Sequence, residues 1–104
     1  ARIERVIDGD TVVARLDLGL GVTLLQSLQL AGVNAPERQT EAGQQALAHV
    51  QKRLLDQAVL VAVQPQRSRD SFGRLLATIG LNGVNFNQEL IDQGHAVAYV
   101  SGQR

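Results

Sequence analysis

Two carboxylates flank a single glycine in the stretch VIDGDTV: Asp8, Gly9 and Asp10. Ile3, Val6 and Ile7 come before them and Val12 and Val13 after, so the acids sit in a turn between strand-like segments. That arrangement admits two chemistries. Asp-Gly is a strong hairpin signal, and the acids then only shape a turn. Alternatively, the pair offers hard oxygen donors on a stiff frame, which is what a hard divalent cation requires. The dipeptide alone favours the turn; the rest of the chain has to move that balance.

Length and composition set the bounds. A chain of 104 residues with 44% apolar content makes one domain with a single modest core. Ten basic and ten acidic residues cancel, which excludes coating nucleic acid by bulk charge. Nine of the ten cations are arginine, suited to discrete phosphate forks rather than to a diffuse field. There is no cysteine, hence no disulfide framework and no thiolate chemistry. No apolar run is long enough to span a bilayer, and no membrane partner is expected. A chain that begins at Ala1 and contains no methionine is expected to have lost an initiator or a leader, or to have been trimmed. Its compartment stays open between secreted or periplasmic and cytoplasmic.

The elements that must position the acids follow from periodicity. Residues 2–7 and 11–18 read as strands, with a second turn at Leu18 to Gly21 and a long third strand over 22–33. NAPERQT is a loop, since Pro36 pushes Ala35 out of the helical region. Ala46, Leu47, Val50, Leu54 and Leu55 recur at helical spacing and predict a helix over 41–57. AVLVAV, residues 58–63, is a strand, and the polar loop QPQRSRDSFGR leads into LLATIGL, a fifth strand closed by Asn82-Gly83. Asn85 with Gln88 forms a capping-box pattern for a short helix that Gly94 ends, and AVAYV is a last extended piece. Strand, strand, strand, helix, strand, strand, helix is an α+β, mainly β arrangement. It is that of an OB-fold, a five-stranded Greek-key barrel, with a helix between strands 3 and 4 and a short helix after strand 5. We expect residues 2–81 to form it with antiparallel strands.

VIDGDTV, LAGVNAPE and DSFGR, followed by NQELIDQGHAVAYV, resemble the staphylococcal nuclease (thermonuclease) family over nearly the whole chain. The resemblance implies a single nuclease-like domain over 1–104 that lacks the family's C-terminal helix. It also implies hydrolysis of DNA and RNA phosphodiester bonds with Ca²⁺. Asp10 matches the first metal carboxylate and Asp8 a nearby acid. Asn34 stands where the family often has its second metal carboxylate, and Ala35 contributes a backbone carbonyl. Glu37 matches the general base and Arg74 one of two phosphate-binding arginines. Gln29 occupies the position of the other arginine. Phe72 replaces a substrate-side tyrosine, Tyr99 matches a family tyrosine, and Ser101 replaces a second.

Gln29 offers a neutral amide where a planar cationic fork would meet the phosphate. Losing one such contact costs on the order of 3–4 kcal/mol of transition-state stabilisation. Asn34 still presents an oxygen to Ca²⁺ but removes a full charge, so the metal should bind weakly. Plainer readings stand beside these. Glu37 is an ordinary loop acid or pairs with Arg38, Arg74 pairs with Asp70, and Arg67 and Arg69 form a solvated loop face. Tyr99 is a core or rim residue, Phe72 and Phe86 are core, and His49 and His95 are surface residues with no partner at ligand spacing.

Three functions are compatible with this pattern. One is a Ca²⁺-dependent nuclease with a weakened site, helped by Arg38 or Arg15. Another is an inactive nuclease-fold module that binds single-stranded nucleic acid or another phosphate ligand. The third is a protein-interaction module using the barrel as a scaffold. The resemblance favours a monomer acting on DNA or RNA, single-stranded by preference. Gln29 and Asn34 favour lost chemistry; Asp10, Glu37 and Arg74 favour retained chemistry.

Overall fold

The computed structural model describes residues 1–63 and 75–98. Three long strands come first: β1 (Arg2–Asp8), β2 (Thr11–Gly19) and β3 (Val22–Leu30). They pair antiparallel in chain order. Alternation along them sends Ile3, Val12, Ala14, Leu28 and Leu30 to one face, where each is essentially inaccessible to solvent. Full burial of a large aliphatic side chain contributes roughly 1.5–3 kcal/mol, so this stripe fixes the register of all three strands.

After β3 come β4 (Val33–Asn34), α1 (Glu41–Leu54), β5 (Leu60–Val63), β6 (Leu75–Leu81), β7 (Val84–Asn85), α2 (Phe86–Asp92) and β8 (Val97–Ala98). The main sheet runs β1-β2-β3-β6-β5, with β7 beside β6, and β4 pairs separately with β8. The sheet then returns on itself. The Val59 amide donates to the Ala1 carbonyl at 2.8 Å, the Asp56 amide donates to the Ile3 carbonyl at 2.8 Å, and Arg2 pairs with Ala58. The barrel interior is filled from β6 by Ala77, Ile79 and Leu81, from α1 by Val50 and Leu54, and from α2 by Phe86 and Leu90.

This is the expected α+β barrel with one correction: its strands are not all antiparallel. Leu28–Leu30 of β3 runs parallel to Leu75–Ala77 of β6. The reason is parity. Five strands in a closed ring cannot alternate direction all the way round, so one neighbouring pair must be parallel.

Three boundaries also differ from the sequence expectation. α1 stops at Leu54 rather than Gln57, because Leu55 is extended (φ −59°, ψ 129°) and Asp56 is left-handed (φ 61°). Pairing with β1 captures residues 55–58 and overrides the helical spacing there. β5 accordingly starts at Leu60. The third strand breaks after Leu30, where Gly32 at φ 76° turns the chain, so Asn34 lies on the separate strand β4 rather than in a loop.

The short helix forms as expected. The Asn85 side chain accepts from the Gln88 amide at 3.1 Å, and Gly94 follows at φ 79°. Only half of the capping box is present, since the Gln88 side chain donates to Asp92 instead of turning back. Phe86 is core as expected. No helix among the described residues is long and apolar enough to cross a membrane.

Candidate functional site

The Asp8–Asp10 segment is a two-residue hairpin turn, with Asp8 paired to Thr11 across it. Gly9 is required there for room rather than for an unusual φ. A Cβ on Gly9 would lie 2.8 Å from the Ala35 Cβ and 2.9 Å from the Ala46 Cβ. The turn is therefore pressed against both the start of the NAPERQT loop and the first turns of α1. A second close approach fixes the other end of that loop. A Cβ on Gly43 would lie 1.8 Å from the Glu37 carbonyl oxygen. Thr40 completes the anchor: its hydroxyl donates to the Glu37 carbonyl at 2.7 Å and accepts from the Gly43 amide at 2.9 Å, capping α1.

Asp10 is the hub. One carboxylate oxygen accepts from the Ala35 amide at 3.1 Å and the other from the Thr11 hydroxyl at 3.2 Å. Its own amide donates to Asp8 Oδ1 at 3.1 Å, and its carbonyl accepts from the Leu30 amide at 2.8 Å. The hairpin turn, the end of β3 and the β4 loop thus meet at one residue. Burial pushes the Asp10 carboxyl up to about 6, and the neighbouring Asp8 carboxyl pushes in the same direction. The Ala35 amide and Thr11 hydroxyl favour the ionised form and only partly offset this. Two carboxyls crowded in a half-buried turn form a site that is short of positive charge.

The expected residues assemble unevenly. Asp8, Asp10 and Ala35 come together, with Asn34 exposed beside Ala35 at the end of β4. Glu37 is exposed, two residues further along the same anchored loop. Leu28 and Leu30 face the interior and Gln29 the opposite side, as strand alternation predicts. Gln29 lies directly across from Thr11, next to Asp10, and its buried Oε1 has no hydrogen-bond partner among the described residues. Arg74, Phe72 and Tyr99, with Arg67, Arg69 and Asp70, lie outside the described residues.

The donor set suits a hard divalent cation: two carboxylates, an amide side chain and a backbone carbonyl, all oxygen. Among the described residues, no three His, Cys, Asp or Glu side chains converge closely enough to hold an ion by themselves. A cation here would lean on Asp8 and Asp10, on Asn34 and the Ala35 carbonyl, and on water.

Sequence reasoning missed two polar anchors and misjudged two histidines. Asn87 is buried; its Nδ2 donates to the Ala31 carbonyl at 2.8 Å and the Ala77 carbonyl at 3.1 Å, and its Oδ1 accepts from the Ile79 amide at 3.0 Å. It ties α2 to the point where β3 leaves β6. Glu89 on α2 accepts two bonds from Arg53 on α1, at 2.9 and 2.8 Å, and lies 3.1 Å from His49 Nε2. His49 and His95 are not bare surface residues: their rings stack at 4.4 Å, and Phe86 lies parallel to His49 at 6.0 Å. None of these contacts has a local sequence signal, because the partners come from distant parts of the chain.

The family model described as "Staphylococcal nuclease homologue" matches residues 27–104. A thermonuclease of Staphylococcus hyicus is 31% identical over 103 residues, covering 93% of this chain and 57% of that protein. An uncharacterized protein of Methanocaldococcus jannaschii is 27% identical over 127 residues, covering 96% of this chain and 59% of that protein. The chain therefore spans less than two thirds of the length of these relatives.

Proposed function

The chain belongs to the staphylococcal nuclease family, and on that premise we propose that it is a Ca²⁺-dependent phosphodiesterase of DNA or RNA, made slow by a depleted phosphate clamp. The observation that carries the reading is the Ala35 amide bond to Asp10 at 3.1 Å, which joins the DGDT turn to the NAPE loop at one mouth. Bound Ca²⁺ supplies a Lewis acid that lowers the energy of charge developing on the phosphoryl oxygens. Asp10, Asp8, Asn34 and the Ala35 carbonyl would hold it. Glu37, on its anchored loop, takes a proton from the attacking water. Arg74 grips the phosphate with its fork. By the family resemblance Tyr99 and Phe72 stand at substrate-side positions, and single strands are preferred because splayed bases can stack on aromatic rings.

Gln29 is the weak point. It stands beside the hub residue, and its buried oxygen, without a partner among the described residues, is an acceptor where a phosphate needs donors. An arginine at this position restores a charge-assisted contact, and its long side chain reaches solvent without disturbing Leu28 or Leu30. Turnover of a labelled single-stranded oligonucleotide with Ca²⁺, against a chelator control, tests the reading. Gln29→Arg should raise the Ca²⁺-dependent rate at least about tenfold, and adding Asn34→Asp should raise it further. Glu37→Gln should lower whatever rate the unmodified chain has. If the unmodified chain already matches the double variant, Gln29 is not a disabled clamp.

A second reading rests on the same two positions. With Gln29 and Asn34 both neutral, the barrel binds single-stranded nucleic acid without cleaving it. Retained oligonucleotide binding with no turnover in any of these variants selects that reading.

A further inference from the structure

We propose that the cavity behind the NAPE loop is a nucleobase pocket for the residue next to the phosphodiester, with His95 and Asn34 reading the base edge. The inference rests on the phosphodiesterase reading and adds a subsite to it. The cavity is about 220 Å³ and is lined by Asn34, Ala35, Pro36, Gly94, His95, Ala96 and Val97. That is several times the ~30 Å³ share of one water and below the ~300 Å³ at which drug-sized pockets begin. One ring system fits such a volume; a whole nucleotide does not.

Position points to a part of the same ligand. Asn34 and Ala35 are on both the cavity wall and the proposed cation site, so a phosphate on the ion places its neighbouring base within reach. The chemistry of the wall also fits. Ala35, Pro36, Ala96 and Val97 give apolar surfaces for the faces of a base, while an amide and an imidazole offer both donors and acceptors to its edge. Burial and nearby His49 hold the His95 imidazole below its ordinary value. At neutral pH it is therefore uncharged, donating through one nitrogen and accepting at the other.

The frame is built rather than incidental. Gly94 at φ 79° turns the chain out of α2, the His95 and Ala96 amides both donate to the Leu90 carbonyl, and the β4–β8 pairing sets Val97 beside Asn34 in the pocket wall. His95 stacks on His49, which is itself held by Glu89. The imidazole is thus supported from behind.

The test compares two probes in Ca²⁺ by amide and imidazole chemical shifts: the tetranucleotide d(T)₄ and a tetramer of the same backbone without bases. The signals of residues 8–11 should move with both. Those of Gly94, His95, Ala96 and Val97 should move only with d(T)₄. His95→Ala should weaken d(T)₄ at least about fivefold and leave the base-free tetramer unchanged. Val97→Phe, at an exposed position on the rim, should fill the pocket and do the same without touching the histidine stack. Equal movement of the pocket signals by both tetramers overturns the inference, as does equal weakening of both by the variants. If neither tetramer moves the signals of residues 8–11, the phosphodiesterase reading fails first and takes this subsite with it.

Discussion

Asp10 and Glu89 are both partly buried carboxyls at places where helix meets barrel, yet their surroundings push them in opposite directions. Glu89 faces the Arg53 fork and His49, and the Arg53 hydrogen bonds hold its carboxyl below the usual range. Asp10 faces another acid and is pushed up to about 6 by burial and by Asp8. The Glu89 cluster has its charges matched inside the chain, and its product is a fixed angle between α1 and α2. Among the described residues no cation pairs with the Asp10 cluster, which costs stability and suits the place to a cation. A structural acid and a candidate functional acid are told apart here by whether the fold supplies the counter-charge.

Removing the framework beneath the site should break the comparison most severely. Gly43→Ala forces a Cβ into the Glu37 carbonyl, and α1 must shift away from the loop. We expect a loss of about 3 kcal/mol or more by denaturant titration, with Ca²⁺ response lost as well. A variant as stable as the parent would show that the loop is not clamped there.

Glu89→Ala should cost less, about 1–2 kcal/mol, because Arg53 is partly exposed and recovers water. Its thermal midpoint should fall while Ca²⁺ affinity stays within about twofold. The opposite sign is expected at the other acid. Asp10→Asn keeps an acceptor for the Ala35 amide and gives Asp8 a donor in place of a rival charge. The metal-free chain should therefore melt a few degrees higher at neutral pH, while losing its Ca²⁺-induced thermal shift. A lower midpoint would mean that Asp10 is stabilising without metal.

The smallest effect sharpens the contrast through pH. A carboxyl raised in the folded state binds protons more tightly than the unfolded chain does, so Asp10 adds stability as pH falls from about 6 towards 4. Glu89, lowered in the folded state, contributes stability above the ordinary glutamate value that is lost as pH falls below it. The parent chain should therefore gain stability between pH 7 and 5, Asp10→Asn should flatten that interval, and Glu89→Gln should leave it intact while removing the loss below the ordinary glutamate value. Ca²⁺ affinity should drop below pH 6 as Asp10 takes up its proton.

Much of the site was legible because it is local. The DGDT turn, the break at Pro36, the inward Leu28 and Leu30 and the outward Gln29 all follow from residue type and a period of two. Gly9 was legible as a turn residue for a different reason from the one that governs it. Turn chemistry suggested it, but contact with Ala35 and Ala46 demands it. Asn87, the Glu89 cluster and the His49–His95 stack could not be read, since their partners lie on other elements, from eight to 56 residues away. The same holds for the early end of α1, where β1 outcompetes helical spacing, and for the parallel β3–β6 pair, which a ring of five strands imposes.

That parallel pair also bears on when the site can exist during synthesis. Leu28 waits for Leu75, Arg2 waits for Ala58, and Asn34 waits for Val97 before any of these ladders can form. Loop closure over such separations is slow and must precede the contacts that reward it. A ribosome-bound chain that has exposed its DGDT turn and NAPE loop has the two segments but not the ladders that frame them. The candidate site is thus assembled only once translation has passed β8, the last strand among the described residues, so topology sets the moment at which it can first act.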